Sequence, residues 1–350
     1  MIEALRSSDL FRLMVPRRYG GFELDLDTFL EVGLALSEGD ASMAWVATFY
    51  IEHNWMICQF PEVFQKAVLG SQGYTLAPAA LSPNGVAVPA EGGFRLSGRW
   101  QWGTGIMHAD WVIVGARATS DGGLPTFRFL ALPRDQVKVE DVWFVDGMSG
   151  TGSNDILIEN AVVPEERTVS IADLSAGCAH GARLHEGPLY RTPMLPILAL
   201  TAAMPAVGQA RAAVRGFRQR MQQRTQLGSR VKQSEKPAAQ MRLARADIES
   251  RQAEALLREL VAEVQELRSE ATIVDRARWS ASFALAVDQS KRVLHSLAEA
   301  SGASAHFQEH PLQRAVRDVN ALACHAIFDL DARLELYGRT LLGRDPGGLI

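Results

Sequence analysis

Two histidines, a glycine-flanked threonine and two nearby tryptophans are the residues whose types and spacing best suit chemistry. Imidazole titrates unperturbed at about pH 6.5, so it serves as a general acid or base near neutrality. His53 stands beside Asn54 and Trp55, and His325 stands in the apolar run 321–327. A lone histidine in such a run is either packed as core or positioned for proton transfer. Thr104 lies between Gly103 and Gly105, where missing Cβ atoms let backbone and hydroxyl approach a flat ring closely. Trp100 and Trp102 precede it at alternate positions. In a strand they share one face, as ligand wall or as core. Ser153 and Asn154 follow Gly150 and Gly152 at a tight turn.

Other chemistries are excluded. The cysteines and histidines lack zinc-like spacing, Gly-x-Ser-x-Gly is absent, and no Walker A run occurs. The Gly-x-Gly near Ser153 is no nucleotide fingerprint, since no strand–turn–helix pattern surrounds it. The 350 residues carry 36 Lys+Arg against 40 Asp+Glu, a net charge of −4, which argues against nucleic acid or a polybasic membrane contact. Three cysteines cannot form a disulfide framework and suit a reducing, cytoplasmic setting. No run reaches the roughly 20 apolar residues of a membrane span. The most apolar stretch, 195–207, is interrupted by Pro196 and Pro205. The N-terminus carries acidic residues and reads as an amphipathic helix, not a signal peptide.

The elements that must hold these residues fall into three segments. Residues 1–72 read as helical: Leu5, Leu10, Leu13 and Met14 recur at helical spacing until Pro16. Asp27 is placed to cap a second helix, and an apolar helix over 42–58 follows. Residues 73–172 shorten into strand-like runs punctuated by Gly and Pro, including Pro83-Asn84-Gly85, and suggest an antiparallel sandwich or barrel. Residues 173–195 form a linker. Residues 196–350 hold four long amphipathic segments, 202–224, 236–266, 273–301 and 311–342, and predict a helical bundle. Arg314 and Arg317 are expected to tie its last helices together. The fold class is α+β, mostly α.

This segment order, with five local runs, resembles the acyl-CoA dehydrogenase superfamily over nearly the whole chain. The runs are LFRLMVPRRYGG (10–21), SEGDASMAW (37–45), LSGRWQWGTGIMHADWVIVGA (96–116), GMSGTGSNDILIENAVVPEER (147–167) and RTQLGS (224–229). Members of that family usually carry a further N-terminal helix, whereas this chain begins almost on the first run. In many dehydrogenases of this fold, a glutamate shortly after an Arg-Asp pair removes the substrate α-proton. Here the pair is Arg317-Asp318, and the expected position holds Ala326 beside His325. The run 301–327 is more similar to the flavin-dependent monooxygenases of the fold, two-component hydroxylases of phenolic substrates such as 4-hydroxyphenylacetate.

The resemblance implies reduced FMN or FAD from a separate flavin reductase, O2 as co-substrate, a C4a-hydroperoxyflavin, and an aromatic substrate, phenolic or polycyclic. It implies that Thr104 bonds the flavin N5 edge and that Trp100, Trp102, Gly103 and Gly105 frame the ring. Ser153 and Asn154 would meet the pyrimidine edge or phosphate. Arg224 and Ser229 would meet the phosphate across a subunit boundary of a homotetramer. His325 becomes the base or orienter of the substrate hydroxyl, and His53 a contact to substrate or flavin. Two rival readings remain: an FAD-dependent acyl-CoA dehydrogenase with another base, and a non-catalytic helical-bundle scaffold.

Overall fold

The computed structural model describes residues 2–70, 72–119, 125–225, 231–348 and 350. Four helices open the chain: α1 (Ile2–Ser7), α2 (Leu26–Gly39), α3 (Ala41–Ile57) and α4 (Glu62–Leu69). The expected first helix stops early. Asp9 takes a left-handed conformation, and a single 3-10 turn at Leu10–Arg12 follows. The cap of α2 is Asp25, whose carboxylate accepts the Leu26 N–H, while Asp27 sits inside the first turn. Asp40 caps α3 in the same way through Met43. In α3, 15 of 17 residues are buried, so periodicity in the sequence could not say which face mattered.

Among the described residues seven strands follow: β1 (Ala79–Ala90), β2 (Gly93–Gly103), β3 (Trp111–Ala118), β4 (Thr126–Pro133), β5 (Lys138–Glu140), β6 (Asn154–Pro164) and β7 (Thr168–Ser170). They form one sheet in the order β5-β6-β2-β1-β3-β4-β7. It is not wholly antiparallel, because β1 and β3 pair in parallel. That pairing forces the chain to cross from β2 past the end of β1, and residues 104–110 make the crossing. Pro83-Asn84-Gly85 is no turn. It is a bulge inside β1, where the register with β3 jumps between Ala80 and Gly85. Gly85 is required there, because a Cβ would stand 2.1 Å from the Trp100 ring.

The remaining helices are α5 (Ile171–Ala176), α6 (His180–Leu184), α7 (Met194–Gln223), α8 (Pro237–Leu267), α9 (Ile273–Ser301), α10 (Pro311–Ala323) and α11 (Leu330–Leu341). The two prolines do not break α7. Pro196 falls in the first turn, where no N–H bond is lost, and Pro205 is held inside by burial. This helix is long and apolar enough to cross a membrane, but most of that stretch is buried within the protein. The expected last helix divides at residues 324–329, where His325 and then Asp329 cap new turns. One apolar core runs continuously through the opening helices and the closing ones, with α7 packed on α2, α3, α8 and α9. A second core fills the sheet around Trp100.

Candidate functional site

Helix α3 supplies the site's wall. Trp45, Phe49 and His53 are four residues apart and therefore stack along one helix face. Their ring centroids are 4.8 Å and 5.4 Å apart, and the His325 ring lies 5.8 Å from Trp45 on the other side. Four rings thus form a lane with a histidine at each end.

The 104–110 crossing meets this wall at Trp45, whose indole N–H donates to Thr104 Oγ1 at 3.0 Å. Thr104 Oγ1 lies 3.2 Å from Ser153 Oγ, which lies 2.7 Å from Thr151 Oγ1, and Thr151 donates to the Met148 carbonyl at 2.9 Å. The two ends fix every proton in this chain, because an indole N–H only donates and a carbonyl only accepts. Ser153 therefore donates to Thr151, and Thr104 donates to Ser153. Thr104 is left half-buried with one free lone pair and no free proton. Tyr50 fixes the same loop by donating its hydroxyl to the Gly105 carbonyl at 2.6 Å. Gly105 has φ +74° and its Cβ would meet that hydroxyl at 2.5 Å, so only glycine fits.

The 146–153 loop is held from α10. Asp318 is buried and accepts the Met148 N–H at 2.6 Å, and Arg317 donates to the Asp146 carbonyl. Arg314 pairs with Asp40 at 3.5 Å. The two arginines thus bind α10 to the site loop and to the cap of α3, not to neighbouring bundle helices.

His325 sits in the break after α10, not on a helix face. Its Nδ1 accepts the Ile327 N–H at 3.3 Å, so the neutral ring carries its proton on Nε2. Part of the ring is open to solvent. Protein packed round the rest disfavours the imidazolium and lowers its pKa, and Arg333 acts in the same direction. His53 is almost fully buried, which lowers its pKa to about 3 and keeps it neutral. Its Nε2 lies 3.3 Å from Glu52 Oε2. Glu52 is fully buried and, among the described residues, neither of its oxygens has a hydrogen-bond partner, so burial raises its pKa and favours the protonated form.

The structure gathers Thr104, Ser153 and His325 around Trp45, with His53 joined through Phe49. Four expected contacts lie elsewhere. Trp100 is sealed in the sheet core, its indole donating to the Gly115 carbonyl at 2.6 Å. Trp102 does not share its face, because a positive φ of 70° turns it outward to 57% exposure. The side-chain oxygen of Asn154 accepts the Val142 and Trp143 N–H groups. Arg224 ends α7 and donates to the Ser301 carbonyl at 2.7 Å. It lines a cleft of about 330 Å³ with Lys236 and Arg242. Ser229 lies outside the described residues, and Gly103 ends β2 with its Cα packed on Ile156. Sequence reasoning gave no site role to Trp45, Thr151, Asp318 or Glu52, and met Asp318 only as half of the Arg317-Asp318 pair. Only Glu52 carried a signal, as an acid in an apolar run.

The remaining lone pair of Thr104 can accept one further N–H or O–H. Residues 200–330 match the C-terminal domain of acyl-CoA dehydrogenases. A pigment production hydroxylase of a Rhodococcus species is 35% identical, over 97% of this chain and 88% of that protein. The oxygenase component of the FADH2-dependent resorcinol hydroxylase of a Rhizobium species is 31% identical, over 99% of this chain and 88% of its own. The crystal structure of 3-HSA hydroxylase from Rhodococcus sp. RHA1 superposes with a TM-score of 0.93 at 29% identity, covering 98% of this chain and 89% of that one.

Proposed function

Because the chain belongs to the flavin-dependent aromatic hydroxylases of the acyl-CoA dehydrogenase fold, we propose that it is the oxygenase component of a two-component monooxygenase that hydroxylates a phenol. When bound, reduced flavin supplies the electrons that activate O2. The observation that carries this reading is the fixed direction of the Thr104 hydroxyl chain. Its free lone pair accepts an N–H, which the N5 edge of a flavin offers only when reduced.

The remaining residues have separable tasks. Trp45 and Phe49 exclude water beside Thr104. His325 donates an Nε2–H hydrogen bond to the substrate oxygen and so holds the phenolate, which is electron-rich at the ortho carbon, while the phenol's own proton leaves to solvent past the open side of the ring. This makes His325 an orienting donor in its resting tautomer rather than a base. The cleft of Arg224, Lys236 and Arg242 suits a flavin phosphate, from FMN or FAD, reaching in from a neighbouring subunit of a homotetramer. A separate reductase supplies the flavin, a reading supported by the Rhizobium relative being a named oxygenase component. The setting proposed is cytoplasmic.

The test mixes the protein anaerobically with reduced FMN or FAD, adds 18O2 and a panel of phenols, and identifies products by mass spectrometry. Hydroxylated product carrying one 18O is expected. Failure to bind reduced flavin, or product oxygen drawn from water, refutes the reading.

A further inference from the structure

The Glu52–His53 pair closes the inner end of the aromatic lane and leaves three buried polar atoms without partners: both Glu52 oxygens and His53 Nδ1. Native interiors tolerate few such groups, and each normally marks a bound water, an ion or a ligand. Three on adjacent residues form one polar site. It lies beside the lane: the His53 ring packs 5.4 Å from Phe49, which is only partly buried, whereas Glu52 and His53 are sealed.

The identity of the missing partner follows from what surrounds it. Among the described residues no Lys or Arg pairs with Glu52, and burial alone acts on its ionisation. The nearest ionisable group is the His53 imidazole, itself neutral. A buried carboxyl lacking a counter-ion, beside aromatic faces, is complementary to a cation with several N–H donors. The carboxylate accepts two of its hydrogen bonds and the aromatic rings attract its charge.

Resting on the hydroxylase reading above, we propose that Glu52 is a specificity residue for a protonated amine on the substrate, so that the substrate is an amine-bearing phenol. The phenolic end faces Thr104 and His325, and the ammonium lies between Phe49 and Glu52. Binding moves one proton: neutral Glu52 releases it to solvent as the carboxylate pairs with the ammonium. No electron transfer or bond to carbon is involved.

The test is isothermal titration calorimetry on the full chain, with and without reduced FMN under argon. It compares 4-hydroxyphenethylamine with 4-ethylphenol in two buffers of different ionisation enthalpy at pH 7. The amine is expected to bind roughly tenfold tighter or better, the range for a hydrogen bond to a charged group. About one proton should leave per site. Glu52→Gln, nearly isosteric, and Glu52→Leu should each remove the proton release and the preference. Equal or weaker binding of the amine, absence of proton release, or a preference that survives Glu52→Gln overturns the proposal. A trapped water as the natural occupant gives that first result in the wild-type protein, without any variant. Failure of the hydroxylase reading looks different: neither phenol is hydroxylated, while amine binding is unchanged.

Discussion

Replacing Thr104 by valine tests the hydroxyl chain at its one informative atom. Valine keeps the branched shape and removes the oxygen, so Trp45 Nε1 loses its acceptor at 3.0 Å and Ser153 loses a partner at 3.2 Å. Trp45 is only 7% exposed, so water does not replace the lost acceptor. An unsatisfied donor in that position costs about 1–3 kcal/mol of stability. The effect on ligand binding is separate. One neutral hydrogen bond contributes about 0.5–1.5 kcal/mol, or about two- to twelve-fold in affinity. Because the lone pair of Thr104 accepts and has no proton to give, that loss should fall on reduced flavin alone. Oxidised flavin, with no proton on N5, should bind the variant as it binds the wild type. The assay is anaerobic equilibrium titration of both redox states against wild type, Thr104→Val and Thr104→Ser. Serine should restore reduced-flavin affinity. An equal loss for both redox states, or none for either, refutes the directional argument.

Four further outcomes follow from named contacts. His325→Ala should lower hydroxylation by about 10–150-fold at saturating flavin while reduced flavin still binds, since a hydrogen bond to a charged group contributes about 1.5–3 kcal/mol; unaltered coupling of flavin oxidation to product refutes its role. Asp318→Ala leaves the Met148 N–H unpaired, at a cost of about 1–3 kcal/mol, and should raise peroxide release per flavin, with Asp318→Asn restoring coupling; a variant that loses stability without uncoupling shows a purely structural contact. Acid should weaken the fold, because folded His53 stays neutral to about pH 3 whereas the unfolded chain takes up that proton near pH 6.5, so urea midpoints should fall between those values. Glu52 acts oppositely: its folded pKa is raised, so it destabilises as pH climbs above about 4.5, and Glu52→Gln should gain stability at pH 8 but not at pH 5; equal gains at both refute the buried neutral acid.

The segment order and most elements were legible because hydrophobic period and Gly/Pro punctuation are local signals. The strand runs around Phe94, Trp111, Phe127 and Asp155 all lie in the sheet. What failed was decided by tertiary packing. Nothing local marks the break at 324–329, which contains neither Gly nor Pro, yet it sets the direction of His325. Strand alternation misplaced Trp102 because the β2–β6 register shifts between Trp100 and Gly103 and the positive φ there falls on a tryptophan, not a glycine. The resemblance named Thr104, Ser153 and His325, which the fold gathers around one another, but Trp45, which joins them, read only as one more apolar residue of a buried helix. Asp318 was noticed for its neighbours in the motif rather than for the backbone amide that it holds.

The shared core of the opening and closing helices has a consequence for how the chain reaches its native state. Helix α3 is apolar on nearly every side, and its main packing partner, α7, begins at Met194. The whole sheet must be synthesised in between. At about 5–20 residues per second, α3 waits on the order of ten seconds on the ribosome with its apolar surface uncovered. Contacts between such distant segments also raise contact order and slow refolding. The arrangement that holds Trp45 beside Thr104 in the finished protein therefore leaves the nascent N-terminal helices with apolar surface uncovered, the condition that favours aggregation, until α7 emerges.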